Sequence, residues 1–327
     1  MVIIKERRKL NKAIRNAKNI FLMAHKNLDL DALGSQIGMY MILKKKKKNC
    51  FIIIDDKEHE AGVEKVLREL DGVMNRIKSS EIEEYMDSRQ SKNLLIILDT
   101  NKTELVQSKE VLNKIDKKIV IDHHDIGKTT IKNAEVIDDS KVSSTCEMIT
   151  SLIEFYDVEL DSYYATILLS GIVLDTNNYT LNTSAETYYS SYYLASLGAS
   201  AKKVQYLLKQ DINEYTERQK LMADIETIDD KIAFTRASAN TIYRREDLAK
   251  VADTLLFFNN IEASFVIGKI GKDTIGVSAR SLGNYDIGKI LTKLGGGGDN
   301  NAGAVTKENT TLAKVEQELK KILKEGE

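Results

Sequence analysis

The chain contains no proline and no tryptophan among its 327 residues. At the usual frequency of about 5%, roughly 16 prolines would be expected. Nothing in the sequence accounts for the shortfall, which excludes proline-stiffened loops throughout. Cysteine is scarce too. Cys50 and Cys146 are the whole complement, too few for a disulfide framework, and they point to a reducing, cytoplasmic setting. No stretch approaches the ~20 apolar residues that span a bilayer, and residues 1–10 lack the apolar centre of a secretion signal. No membrane segment or leader is therefore expected. Charge of one sign is not in excess either. With 48 Lys and Arg against 49 Asp and Glu the net charge is -1, so no global field favours duplex DNA or an anionic membrane.

What is present suits a globular protein large enough for two domains, with 42% hydrophobic and 30% charged residues. In the first half, short apolar runs at 20–24, 51–54, 94–98 and 119–121 alternate with helical patterns such as 31–45 and 62–70. That alternation predicts a parallel sheet covered by helices on both faces. In such sheets, ligands collect beyond the carboxyl ends of the strands. The run at 20–24 ends in His25, Asp29 and Asp31; the run at 94–98 ends in Asp99; the run at 119–121 ends in Asp122, His123 and His124. A further apolar run, 167–174, ends in Asp175. Carboxylates lose hydration when gathered in this way unless a positive charge compensates them. The lysine run at 44–48 reads as a solvated helix end, where cations suit the dipole.

The middle of the chain reads as helical over 146–155, 163–174, 185–197 and 201–208, with Ser143, Ser144 and Thr145 ahead of Glu147 as a capping signal. Tyr188, Tyr189, Tyr192 and Tyr193 form a stripe that suits core or an interface between two copies. Residues 211–227 read as one long helix leading out of the first domain. The expected division is 1–195 for the catalytic domain, 196–226 for a helical connector and 227–327 for a smaller α+β domain. In the latter, 231–236, 263–270 and 274–279 read as strands, and 251–258, 286–294 and 311–324 as helices. Four glycines, Gly295 to Gly298, precede Asp299 and permit close backbone approach, with amide groups aimed at an anion. Ser278 and Arg280 offer a hydroxyl and a cation from a neighbouring segment.

Together, His25, Asp29, Asp31, Asp99, His123 and Asp175 supply four carboxylates and two imidazoles, enough for two divalent ions with one aspartate shared. Oxygen ligands with some histidine suit Mn²⁺ best, then Fe or Mg²⁺, and the lack of cysteine argues against structural zinc. Two such ions promote in-line displacement at phosphorus. His124 stands beside a ligand, free to hydrogen-bond a scissile phosphate. A two-lobed cleft cutting a phosphodiester is the expected design.

These residues resemble a known family. Asp122-His123-His124, with HKNLDLDALGS upstream, LDTN between and LDTNNYT downstream, resembles the DHH phosphoesterases, and the 295–304 loop with SARS resembles their associated second domain. LDTNNYT, VADTLL and GVSARSLG are most similar to the catalytic portion of GdpP-type cyclic-di-AMP phosphodiesterases. That resemblance implies a parallel-sheet DHH domain plus a DHH-associated substrate-binding domain, and Mn²⁺-dependent hydrolysis of cyclic di-AMP to linear pApA. It further implies His25, Asp29 and Asp99 on one ion, Asp31, Asp99, His123 and Asp175 on the other, and catalytic roles at Asp122 and His124. Substrate contacts are implied at Ser278, Arg280, Gly296, Gly297, Gly298 and Asp299. The alternatives are a nanoRNase-type enzyme acting on pApA or short RNA, and a catalytically weak cyclic-dinucleotide sensor. Two departures stand out. The family has proline near the first aspartate pair, where this chain has Leu28 and Leu30. It has histidine after the glycine loop, where Asp299 should repel phosphate. Relatives often carry an N-terminal membrane anchor, so a soluble relative or an excised catalytic part is expected.

Overall fold

The computed structural model describes residues 2–55, 59–127, 130–238 and 240–324, and divides into two units, Met1–Lys209 and Gln210–Glu327.

The first unit is built on six parallel strands: β1 (Asn19–Met23), β2 (Asn49–Ile53), β3 (Arg76–Ile77), β4 (Asn93–Leu98), β5 (Lys118–Asp122) and β6 (Glu135–Asp138), in the order β3-β2-β1-β4-β5-β6. Successive side chains on a strand face opposite sides, so a strand covered on both faces must be apolar throughout. Strand β1 is buried along its whole length. Ile20 and Leu22 pack with Leu33, Ile37 and Ile149, whereas Phe21 and Met23 pack with Ile82, Val111 and Leu112 on the other face. The helices are α1 (Val2–Asn16), α2 (Leu30–Lys45), α3 (Ala61–Glu69), α4 (Ile82–Tyr85), α5 (Lys109–Lys114), α6 (Thr145–Phe155), α7 (Ser162–Asp175), α8 (Ala185–Ser196) and α9 (Ala201–Leu207). The chain leaves β1 towards β2 on one side, and β4 lies on the other. The strand order therefore reverses between β1 and β4, the place where open α/β sheets form a crevice.

Helices α2, α6 and α7 meet closely because small residues sit at their crossings. A Cβ on Gly34 would lie 2.7 Å from Cys146 Sγ, one on Gly38 2.6 Å from Ile149 Cγ2, and one on Gly171 2.6 Å from Cys146 Sγ. This packing fixes where α2 and α6 begin and where α7 ends. The apolar run 167–174 thus lies inside a helix, and Asp175 is delivered by a helix C-terminus rather than a strand end. Helix α1, which motif reading did not mark, buries Ile3, Leu10 and Ile14 and leaves its charges outward. Tyr188, Tyr189 and Tyr192 are exposed on α8, so they are not core.

The second unit contains α10 (Ile212–Leu221), β7 (Ile225–Ile228), β8 (Ile232–Arg236), α11 (Arg245–Leu255), β9 (Ala263–Gly271), β10 (Thr274–Ser281), α12 (Ile287–Lys293), β11 (Gly297–Gly298), β12 (Ala302–Glu308) and α13 (Leu312–Lys324). Its sheet runs β11-β12-β10-β9-β8-β7, antiparallel except for β8 beside β9. The long helix expected over 211–227 stops at Leu221, and 225–228 pairs with β8 instead. Pairing there satisfies backbone groups at the edge of the sheet. The helix expected at 251–258 starts earlier, at Arg245, and ends at Leu255. The glycine stretch is not an open loop: Gly297 and Gly298 pair with Ala304 and Gly303.

Candidate metal centre

Each site residue is placed by an element end. His25 follows β1, and Asp29 caps α2, its Oδ1 accepting from Ala32 N at 2.9 Å. Asp31 lies in the first turn of α2 and is fully buried. Asp99 follows β4 with φ of 60°, a left-handed conformation that aspartate tolerates better than most residues. Asp122 ends β5, with His123 and His124 after it. Asp175 ends α7.

The ends converge. His25 Nε2 lies 3.6 Å from Asp29 Oδ2 and 3.3 Å from Asp99 Oδ2, and His123 Nε2 lies 3.5 Å from Asp99 Oδ1 and 3.1 Å from Asp175 Oδ2. Ligand-capable atoms fall into a group of His25, Asp29 and Asp99 and a group of Asp31, Asp99, His123 and Asp175, with atoms within 4.8 Å of one another in each. Asp99 belongs to both. It also groups with His123 and His124. A cavity of about 220 Å³ opens here, lined by His25, Asp29, Asp99, Asp122, His124 and Asp175 together with Thr100, Asn101, Lys102 and Leu105.

The electrostatics favour a bound cation. Burial, together with the charges of Asp31 and Asp29, pushes the Asp99 carboxyl up to about 8. Burial and the same two neighbours raise Asp175 well above the carboxylate range. Burial opposes charge on His25, but hydrogen bonds to Asp29 and Asp99 outweigh it and push the imidazole up to about 12. Asp29 is half-buried, which alone would raise its carboxyl, yet His25 holds it below the usual value. A divalent ion relieves this crowding better than shared protons can, and its binding displaces them. The residues fit such an ion on two further observations. His123 Nε2 is buried without a hydrogen bond while carboxylate oxygens converge on it. His25 Nδ1 sits 2.8 Å from the Lys26 carbonyl, which leaves Nε2 as the ligating atom.

Asp122 and His124 form a separate pair. Asp122 is fully buried, and its Oδ1 accepts from His124 Nδ1 at 2.7 Å. Burial works against both charges, but the hydrogen bond lowers the carboxyl and raises the imidazole. His124 is 54% exposed, so its other nitrogen is open to a ligand. Asn101 holds this turn, donating from Nδ2 to the carbonyls of His124 and Asp125.

Sequence reading gave no role to Thr100 and Asn101 of the LDTN motif, and it missed Lys102, Leu105 and what faces α6. The expected cap exists: Ser144 Oγ accepts from Glu147 N at 3.1 Å. The amides it exposes, however, bind Asp31 (2.8 Å from both Thr145 N and Cys146 N). A capping motif marks where free amides are, but not what they meet.

The residues expected to bind substrate are not gathered into one pocket. Arg280 Nε donates to Asp253 Oδ1 at 2.7 Å, so its charge is already matched. Ser278 is buried in β10. A cavity of about 530 Å³ beside α12 is lined by Gly297, Gly298, Asp299, Asp286 and Lys289 among others, and neither Ser278 nor Arg280 reaches it. Gly296 packs against Val305 and lies outside that lining. The Asp299 carboxylate accepts from the amides of Asn301 and Ala302 at 2.8 and 2.7 Å. The loop's amides do face an anion, and it is the chain's own.

Among the described residues, no helix is long and apolar enough to cross a membrane. The DHH family N-terminal domain matches residues 19–172 and the DHHA1 domain matches residues 229–325. The chain is 33% identical to a cyclic-di-AMP phosphodiesterase GdpP of Geobacillus thermodenitrificans over 96% of its own length and 48% of the relative's. It is 33% identical to a cyclic-di-AMP phosphodiesterase PdeA of Listeria monocytogenes over 95% and 48%. It therefore spans about half the length of the curated relatives it matches. A crystal structure of an exopolyphosphatase-related protein from Bacteroides fragilis shares the fold with a TM-score of 0.79 at 19% identity, covering 98% of this chain and 96% of that one. With a DHH domain carrying the acidic cluster and a DHHA1 domain after it, the chain belongs to the DHH phosphoesterase family.

Proposed function

We propose that this chain is a metal-dependent phosphodiesterase that hydrolyses cyclic di-AMP to linear pApA. The observation that carries the reading is Asp99, shared by two groups of ligand atoms at the switch point of the sheet. Its support from relatives is the resemblance to cyclic-di-AMP phosphodiesterases along nearly the whole chain.

In this reading His25, Asp29 and Asp99 hold one ion, and Asp31, Asp99, His123 and Asp175 the other. Mn²⁺ suits this donor set best, with Mg²⁺ or Fe as substitutes. Bound ions supply acidity to a water and neutralise charge developing on the phosphate. The chain's own contribution is positional. Asp122 fixes the His124 ring through Nδ1, so the opposite nitrogen donates to a non-bridging oxygen of the scissile phosphate. Water adds its oxygen to phosphorus, and the ribose 3′ oxygen leaves with a proton. Ser278, Arg280, Gly296, Gly297, Gly298 and Asp299 are proposed contacts for the remainder of the dinucleotide. Arg280 would then share its charge between Asp253 and substrate.

Chromatography of products from cyclic di-AMP with Mn²⁺, alongside pApA and short RNA, tests this. Accumulation of pApA is expected. Rapid consumption of pApA or RNA with the cycle untouched would overturn the reading in favour of an oligoribonuclease.

A further inference from the structure

The first amides of a helix lack intrahelical acceptors and must find partners elsewhere. In α6 those of Thr145, Cys146 and Glu147 are accounted for, and the intrahelical ladder begins at Met148. Ser144 Oγ takes the Glu147 amide, and the Ser144 carbonyl takes that of Met148 at 3.4 Å. Thr145 and Cys146 donate to Oδ2 and Oδ1 of Asp31, each at 2.8 Å. The cap is thus complete without the Thr145 hydroxyl.

That hydroxyl does something else. Thr150, Thr166 and Thr176, inside or ending their helices, donate to the carbonyl four residues back, the usual local choice. Thr145 instead reaches 46 residues away to Asp99 Oδ1 at 3.1 Å. Thr145 is fully buried, and Asp99 is 3% exposed. The two oxygens of Asp99 face different partners: Oδ2 lies 3.3 Å from His25 Nε2, and Oδ1 lies 3.5 Å from His123 Nε2. A proton delivered to Oδ1 sets the plane of the carboxylate, and hence which oxygen serves which group.

We propose that Thr145 is a positioning residue for the two-ion centre: its hydroxyl orients the shared carboxylate Asp99 while its amide holds Asp31, so both ligand groups are set by the first residue of α6. The inference rests on the two-ion reading above. Removing the hydroxyl leaves the amide in place, so Asp99 alone is released. Losing such an outer partner weakens metal affinity by about 10- to 100-fold.

The test titrates Mn²⁺ onto the metal-free full chain by calorimetry and electron paramagnetic resonance. Wild type should take two equivalents and show the spin-coupled spectrum of two ions joined by one carboxylate. Thr145→Val should bind the second equivalent about 10- to 100-fold more weakly and lose the coupled spectrum, while Thr145→Ser restores both. Thr145→Ala, which suits a helix start, gives the same readout if valine does not fold. Wild-type affinity and coupling in the valine or alanine variant overturn the proposal alone, as does a serine variant that behaves like valine. A purely structural role also overturns it: the metal-free melting temperature would fall with the ratio of the two affinities unchanged. Wild type that binds fewer than two ions overturns the two-ion reading, and this proposal with it.

Discussion

His124 and its neighbour His123 share a tripeptide but do different work. His123 aims Nε2 among the carboxylates of Asp99 and Asp175, whereas His124 leans on Asp122 and keeps an open edge. His124→Ala should therefore lower kcat by about 10²- to 10³-fold with metal stoichiometry unchanged, measured by steady-state kinetics beside metal analysis. Asp122→Asn should give a smaller loss, because the ring keeps its place but loses its charge partner. The cysteines are expected to be inert. Burial pushes the Cys50 thiol up to about 12, and burial with the nearby Asp31 raises the Cys146 thiol well above its usual value. A thiol reagent should find none in the native protein and two after denaturation. His25, Asp99, Asp122 and His123 were legible as candidates because apolar strand runs break abruptly into Asp or His, whereas Asp175 follows an apolar run that proved to be a helix. Thr145 was not, since a hydroxyl at a helix start looks the same whatever its amides face.

At the scale of elements, the site depends on how closely α2, α6 and α7 approach. A methyl at Gly171 would meet Cys146 Sγ at 2.6 Å, Asp31 Cα at 2.9 Å and Asp31 Oδ1 at 3.0 Å. Gly171→Ala should cost about 1–3 kcal/mol in urea unfolding and also weaken Mn²⁺ binding, because Asp31 is one of the atoms displaced. In the second unit, α10 and α11 are joined by Arg218, 4% exposed, donating to Asp247 at 3.1 Å. Burial alone would raise the Asp247 carboxyl, but Arg244 and Arg218 hold it below the usual range. A depressed folded value stabilises above the unfolded pKa, about 3.9, and that stability is lost as pH falls through the folded value. Asp247→Asn should cost about 1–3 kcal/mol near neutrality, because the buried Arg218 keeps Glu214 and Gln210 but loses its nearer carboxylate. The gap from wild type should hold from pH 7 to about 5 and shrink below about 4, as melting temperatures across pH would record. Boundaries were harder to read than elements here. With no proline to stop it, the 211–227 pattern continued past Leu221. The two residues of β3 and four of β6 are too short to carry a period.

For the whole molecule, the parallel sheet and the second, mostly antiparallel sheet follow from the alternation of apolar runs and helices. The crevice follows from strand order, which no local pattern encodes. All six candidate ligands come from the first unit, so the proposed metal chemistry belongs to it. The expected anion-binding glycines form a hairpin closed by Asp299, a result of hydrogen bonding between residues that sequence alone shows only as neighbours. The central claim is that Asp99 is shared between two ions. Anomalous diffraction at the manganese edge, from crystals soaked in Mn²⁺, tests it most directly. Two peaks roughly 3.5–4 Å apart, with one Asp99 oxygen on each, are predicted. A single peak, or two peaks that do not share Asp99, would contradict the account.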